Sequence, residues 1–247
     1  NHQMENKINM VIPKEYDGKP IKVIIEEGQA PEELSPKEPE IINISGTISA
    51  PLLWLQKRIE TIEQLDAHIV VCRDDMTIKL IIDEKNYYKS VILGSLQSSK
   101  EIQEFGINTG KTWEPEKLSM FLKMHRACFV TKTENMTLVS LLKNFKAKIV
   151  SDVEKAKEEN GSKTDNYSQV VDSNLPKSFK IKIPLFKGSD PEEIEVETYA
   201  DIDGRNASLT LISAGATETV DNVKNSIIDN NLKEIKQVAP DIVIIEI

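Results

Sequence analysis

Residues 178–213 read SFKIKIPLFKGSDPEEIEVETYADIDGRNASLTLIS, and the alternation of apolar and polar side chains in this stretch decides the fold class. The alternation occurs in SFKIKIPLF (178–186), in EEIEVET (192–198) and in NASLTLIS (206–213). A period of two residues is typical of a β-strand with one buried face. The turn sequences KGSDP and DIDGR separate the three runs. The stretch therefore predicts a three-stranded antiparallel meander with one apolar face.

Strand and helix patterns both occur upstream of the meander. IINISGTI (41–48) predicts a strand with an irregularity at Gly46, and residues 49–65 predict a helix with Ser49 as N-cap and Pro51 in the first turn. The segments that follow predict a hairpin of HIVVC (68–72) and TIKLIIDE (77–84), a strand in YYKSVILGSL (87–96), and helices in EPEKLSMFLKMHRACF (114–129) and ENMTLVSLLKNFKAKI (134–149). We therefore expect an α+β fold, with a mixed or mainly antiparallel sheet, packed helices and an extended N-terminal arm.

The last two elements follow the meander. TETVDNVKNSIIDNNLKEIKQV (217–238) predicts a helix that either continues through Asn230-Asn231 or breaks there. DIVIIEI (241–247) has an unbroken apolar run, which predicts a strand buried on both faces.

The domain organisation follows from composition. Residues 1–40 predict an extended arm or linker, because three prolines stand among acidic residues near its end. Residues 41–247 predict a single α+β domain, with a sub-boundary near 131–136 as an alternative. Within this domain, residues 150–174 fit either a helix or a polar hairpin that turns at Asn160-Gly161.

Length and charge exclude several classes of protein. The chain has 247 residues, a formal net charge of −9 and a sequence pI near 5.1. An acidic chain does not bind nucleic-acid phosphates without a local basic patch. Its apolar runs are too short to span a bilayer, and its first ten residues lack the pattern of a signal peptide, so we expect no membrane association. The two cysteines indicate free thiols in a reducing compartment.

Two histidines and two cysteines raise the question of a metal site. His68 and Cys72 point to one face of a predicted strand, but they are about 13 Å apart at ~3.3 Å per residue, too far to share one ion without a bend. A smaller site would combine His125 and Cys128 on one helical face with His68 or Cys72. The alternative for His125 is a core histidine with one satisfied hydrogen bond, because its helix is otherwise apolar there.

The segment GINTGKT (106–112) resembles the end of a phosphate-binding loop. That motif needs a glycine, four residues, and then Gly-Lys-Ser/Thr, and Gly106 is one residue too close. No buried strand precedes the segment and Pro115 follows where a helix should continue, so we expect a surface turn and no bound cofactor.

The acidic residues of the meander allow a second metal hypothesis. Five carboxylates follow one another along one predicted strand and its turn: Glu193, Glu195, Glu197, Asp201 and Asp203. The interpretation we favour is a solvated charged face, in which Lys180 lies beside Glu197 and Lys182 beside Glu195. The turn DIDG does not fit a calcium-binding loop, because its glycine is the fourth residue rather than the sixth.

A small basic cluster is the only nucleic-acid signal. Lys143, Lys146 and Lys148 surround Phe145 on a predicted helix and could contact phosphates. Lysines beside an apolar stripe also form an ordinary solvated helix face. We identify no catalytic residues, since neither a nucleophile elbow nor a Ser/His/Asp set is evident.

Four stretches together resemble a known family: ISGTISAPLLWLQKR (44–58), AHIVVCRDDMTIKLIIDE (67–84), FGINTGKTWEPEKL (105–118) and LPKSFKIKIPLFKG (175–188). Their order is similar to that of the YfdQ-like family of uncharacterised phage and prophage proteins, in a form found in phages of gut Bacteroides-type bacteria. The resemblance implies a phage gene product in the cytoplasm of a bacterial host, and it favours the hairpin over 150–174. It implies no activity, cofactor or catalytic residue.

Three hypotheses of function follow. The first is a non-enzymatic phage or prophage accessory protein that binds a phage or host protein, because catalytic constellations are missing and the proline-rich arm could order on a partner. The second is a nucleic-acid-associated protein of phage replication or recombination, which requires a basic face near Lys143 to Lys148. The third is a metal-dependent enzyme that uses His125 and Cys128. A structural role in the virion and the oligomeric state stay open.

Overall fold

The computed structural model describes residues 11, 17–22, 40–160, 174–203 and 206–247. The chain divides into two units, residues 1–39 and residues 40–247, and the second unit contains the helices and strands of the described residues. These helices and strands form an α+β fold with two sheets and packed helices, as predicted. Most of the predicted N-terminal arm, residues 1–40, lies outside the described residues.

The first sheet has five strands and mixed pairing. It consists of β1 (Asn43–Thr47), β2 (His68–Cys72), β3 (Thr77–Ile81), β4 (Val91–Ser95) and β9 (Val243–Glu246), in the order β1-β4-β3-β2-β9. The central strands β4, β3 and β2 are antiparallel, and the outer strands β1 and β9 pair in parallel with β4 and β2. The hairpin predicted for β2 and β3 is confirmed.

Helix α1 (Ala50–Arg58) packs against the first sheet. Leu52 and Leu55 are buried, and Gly94 of β4 leaves room for the helix to approach the sheet closely. The predicted helix is longer than the observed one, because the chain tightens into short 3₁₀ turns at Ile59–Thr61 and Gln64–Asp66. Ser49 is the N-cap, although its side chain makes no capping hydrogen bond.

The second sheet is antiparallel and contains the predicted meander. Its strands are β5 (Thr112–Trp113), β6 (Ser178–Pro184), β7 (Pro191–Asp203) and β8 (Asn206–Ile212), in the order β5-β8-β7-β6. Alternate side chains of β6, β7 and β8 are buried on one face: Phe179, Ile181, Ile183, Ile194, Val196, Leu209 and Leu211.

The predicted register of β6 and β7 is wrong by two residues. Lys180 lies opposite Glu195, and Lys182 lies opposite Glu193. The shift arises because Leu185 and Phe186 leave this hairpin and pair with residues 97–99 instead, with Ser99 N donating to Leu185 O at 3.0 Å. A shift of two residues keeps every side chain on its predicted face. The charged face therefore forms, with Lys180 Nζ 3.3 Å from Glu193 Oε1.

Three α-helices of the described residues lie between β4 and β6 in the chain. They are α2 (Lys100–Phe105), α3 (Pro115–Met124) and α4 (Lys132–Asn160). The sequence did not indicate α2, whose N-cap Ser99 accepts a hydrogen bond from Ile102 N at 3.1 Å. The helix predicted over 114–129 ends at Met124, and a 3₁₀ turn follows at Arg126–Cys128.

Helix α4 decides part of the ambiguity over residues 150–174. The chain is helical through Asn160, so the hairpin that the family resemblance favoured does not form over 150–160. Residues 161–173 lie outside the described part of the chain. One face of α4 is apolar and buried, and it consists of Leu138, Leu142, Phe145 and Ile149.

The last helix decides between two open alternatives, and the last strand corrects an expectation. Helix α5 (Ala216–Val238) continues through Asn230-Asn231, where the Asn231 side chain donates to Ile227 O at 3.0 Å. Strand β9 is not buried on both faces, because it lies at the sheet edge, where Val243 and Ile245 are 55% and 44% exposed. Within the described ranges, no helix is long and apolar enough to cross a membrane.

Arg73, in the turn between β2 and β3, connects α5 to the edge strand β9 of the first sheet. Its guanidinium donates to Glu246 Oε1 at 2.7 Å, to Asp229 Oδ1 at 2.7 Å and to Asn225 Oδ1 at 3.1 Å. The hydrogen bond from Arg73 lowers the pKa of Glu246 below its usual range. A carboxyl group whose pKa is lower in the folded state than in the unfolded state stabilises the fold at a pH above its unfolded-state pKa. This stabilisation is lost as the pH falls through the folded-state pKa.

We therefore expect Arg73→Met to lower the urea midpoint at pH 7, because it removes these hydrogen bonds. The difference from wild type should shrink as the pH falls below about 4.3, the unfolded pKa of a glutamate. Urea unfolding from pH 7 to pH 3 measures this difference. A difference that stays constant over the whole range would show that the ionised Glu246 does not contribute.

Candidate functional site: a methionine-lined groove

Helices α3 and α4 form an antiparallel pair, and hydrogen bonds as well as apolar contacts join the two helices. Ser119 Oγ of α3 donates to Val139 O of α4 at 2.8 Å. The buried Asn135 donates from its side chain to Leu122 O at 2.9 Å. These two bonds satisfy polar groups that would otherwise be costly to bury, so the spacing of the helices is well determined.

An open groove of about 790 Å³ runs between α3 and α4. Its apolar lining includes Met120 of α3 and Met136 and Val139 of α4. Met120 is 67% exposed and Met136 is 59% exposed, and Met124, one turn beyond Met120, is 76% exposed. Single exposed apolar residues are ordinary, but Met120 and Met136, from two adjacent helices, line the same groove together with Val139.

The cations around the groove are unpaired. Lys123 and Arg126 line it from the end of α3 and the following turn, and Lys143 lines it from α4. Within the described residues, none of these three side chains has an ion-pair partner. Glu116 is the single carboxylate among the lining residues. The groove therefore carries a local excess of positive charge on a protein whose net charge is −9.

The sequence reasoning did not identify this groove. A signal was present, since Leu118 and Leu122 define the buried face of α3, and Met120 and Met124 lie off that face. Methionines that lie outside the apolar stripe of an amphipathic helix indicate a surface that another molecule can cover.

His125 belongs to an aromatic cluster beside the groove. Its ring centroid lies 4.0 Å from that of Phe121 and 5.9 Å from that of Phe105. Nδ1 lies 2.8 Å from Phe121 O, and Nε2 lies 3.1 Å from Glu104 Oε2. The hydrogen bond from His125 lowers the pKa of Glu104. Because both ring nitrogens already face acceptors, neither has a lone pair directed at a metal.

The other proposed metal ligands lie in separate surroundings. His68 Nδ1, on the first sheet, is 2.6 Å from Glu84 Oε2. Cys72, at the end of the same strand, is half-buried. Burial raises the pKa of the Cys128 thiol, and Glu101 and Glu104 raise it further, which disfavours the thiolate that binds metals. In the part of the chain that the structure describes, no three His, Cys, Asp or Glu side chains come together as a metal site.

The three lysines of the nucleic-acid hypothesis do not share one face. Lys143 lines the methionine groove, whereas Lys146 lines a second cleft together with Asp201 and Asp203. Lys148 lies about 140° around the helix from Lys143 at 3.6 residues per turn. This divergence, with two carboxylates near Lys146, makes a poor phosphate-binding surface.

The segment GINTGKT forms a turn, as the sequence predicts. Helix α2 precedes it, with Gly106 as a left-handed C-cap, and no strand leads into it. The side chain of Asn108 is bound to the backbone of Ser213 rather than pointing into an anion site.

Comparison of the chain with protein-family models, with curated proteins and with solved structures finds no match. The fold and the groove together define an α+β protein with an exposed apolar surface on a helical hairpin. The function is therefore interpreted from the geometry of this surface.

Proposed function

We propose that this protein is a phage or prophage accessory protein that acts by binding a protein partner through the α3–α4 groove. The observation that carries the proposal is the exposure of Met120 and Met136, which line one open groove from two helices. Methionine side chains are flexible and polarisable, so surfaces rich in methionine adapt to a bound protein. The resemblance to YfdQ-like proteins supplies the phage setting.

The competing hypothesis of nucleic-acid binding receives less support. The groove combines three cations with an apolar lining, whereas a phosphate-binding surface needs several cations that follow the backbone of the nucleic acid. No base-stacking aromatic residue is among the groove's lining residues. A protein ligand fits this combination of side chains better.

The test is an affinity pull-down of tagged protein from infected or induced host cells, divided into nuclease-treated and untreated halves. We expect a protein that wild type retains in both halves and that Met136→Glu loses, because a buried unpaired carboxylate is costly at an interface. Leu53→Glu is the matched control, since Leu53 is 57% exposed on α1, compared with 59% for Met136.

Two outcomes contradict the proposal. If Met136→Glu retains the same partners as Leu53→Glu, the groove is not the binding surface. If the partners disappear with nuclease, the interaction runs through nucleic acid, and the second hypothesis replaces the first.

A further inference from the structure

We infer that the groove binds an acidic amphipathic helix of about three turns. This inference rests on the proposed function and specifies the chemistry of the partner. The occupant is argued from the shape of the groove, its apolar lining and the unpaired cations at its rim.

The shape of the groove fits a helix. It lies between two antiparallel helices, so a third helix can pack against both in the manner of a helical bundle. The lining residues of the α3 side extend from Glu116 to Arg126. At a rise of ~1.5 Å per residue, this is a length of about 15 Å, or about three helical turns.

The apolar lining determines one face of the partner. Met120, Met136 and Val139 offer contacts to a narrow stripe of large apolar side chains. A helix presents such a stripe with residues spaced at i, i+3 or i+4, and i+7. An extended peptide would instead need a free strand edge, and both walls of this groove are helices.

The rim determines the charge of the partner. Lys123 and Arg126 lie close in the chain to the α3–α4 connection, and Lys143 lines the groove from a position further along α4. Carboxylates that flank the apolar stripe of the ligand would pair with these cations. The prediction is specific because the net charge of −9 would, by itself, favour a basic ligand.

The experiment measures fluorescence anisotropy of labelled synthetic peptides with the full-length protein. Three peptides are compared: an amphipathic helix with a leucine stripe flanked by glutamates, the same helix with lysines in place of the glutamates, and the acidic composition in scrambled order. We expect the acidic helix to bind at least about tenfold more tightly than either of the others.

Two variants on one helix test the contribution of the rim. Lys143→Glu should weaken binding of the acidic helix by about tenfold, because it replaces an attraction by a repulsion. Lys148→Glu changes the charge by the same amount on an exposed residue outside the groove, and it should leave the affinity within about twofold. Circular dichroism of both variants verifies that they are folded.

The inference is overturned if the basic helix or the scrambled peptide binds as tightly as the acidic helix, or if the two lysine variants behave alike. The proposed function fails separately. If Met136→Glu loses a partner in the pull-down but the protein shows no preference for the acidic helix, the protein-binding function stands. The partner is then not an acidic amphipathic helix. Acidic-helix binding that Met136→Glu leaves unchanged would place the ligand elsewhere and overturn both.

Discussion

Gly94→Ala is expected to lower the free energy of unfolding by about 3 kcal/mol or more, at the upper end of the cost of overpacking a well-packed interior. A Cβ atom on Gly94 would lie 2.6 Å from Ile48 O, 2.9 Å from Thr47 O and 2.8 Å from Pro51 Cδ. Two of these three atoms belong to the backbone, so no rotation of a side chain relieves the contact. Helix α1 would have to move away from β4, which would loosen the contacts of the buried Leu52 and Leu55.

The matched control is Gly215→Ala, since a Cβ atom there meets nothing within 4 Å. Gly215 is the N-cap of α5, so this control should cost no more than about 1 kcal/mol. Urea unfolding followed by circular dichroism measures both variants. If Gly94→Ala unfolds at the wild-type midpoint, α1 does not approach β4 as closely as the structure describes.

Asn108→Ala is expected to lower the free energy of unfolding by about 3 kcal/mol, the sum of two lost hydrogen bonds and a backbone penalty. The Asn108 side chain donates to Ser213 O at 2.8 Å and accepts from Ser213 N at 2.9 Å. Its φ of 60° lies in the left-handed region, where alanine is strained by about 1 kcal/mol. The residue joins the turn after α2 to the end of β8.

Asn108→Gly separates the two contributions. Glycine adopts the left-handed conformation without strain but cannot make the two hydrogen bonds, so it should be about 1 kcal/mol more stable than Asn108→Ala. Both variants should unfold at lower urea concentration than wild type. If the alanine and glycine variants are equally stable, the left-handed conformation does not strain alanine at this position. If both are as stable as wild type, the two hydrogen bonds of Asn108 do not stabilise the fold.

The sequence predicts the elements whose side-chain period is unambiguous. Phe179, Ile181 and Ile183 alternate with Lys180 and Lys182, and this alternation identifies both the strand and its buried face. The register could not be predicted, because it depends on Leu185 and Phe186 pairing with residues 97–99, which are far away in the chain. Local patterns contain no information about such a distant pairing.

Apolar runs were the least reliable signal of burial. The run VIIE of β9 contains two exposed apolar residues, Val243 and Ile245, because this strand pairs with β2 at the edge of the first sheet. Helix α2 was missed for a different reason. It has six residues, too few for a helical period to be recognised, and its N-cap bond from Ser99 is the main local signal.

The groove was missed because it depends on which face of α3 is buried. Leu118 and Leu122 recur at helical spacing and leave Met120 outside the buried face of α3. This spacing does not show that α4 lies beside Met120 and forms a groove with α3. His125, a candidate ligand in the sequence, is the C-cap of α3 and precedes Arg126, which lines the groove. Both ring nitrogens of His125 lie within hydrogen-bonding distance of acceptors in the protein, Phe121 O and Glu104 Oε2.

The most direct test of the central claim, that the α3–α4 groove binds its protein partner as an acidic amphipathic helix, is methyl NMR of the protein with isotope-labelled methionine. The chain has six methionines, and Met76, in the turn between β2 and β3 of the first sheet, serves as the internal reference because it does not line the groove. On addition of the acidic amphipathic helix, the methyl signals of Met120 and Met136 should shift, while that of Met76 stays in place. If the Met76 signal shifts and those of Met120 and Met136 do not, or if no methionine signal responds, the claim is contradicted.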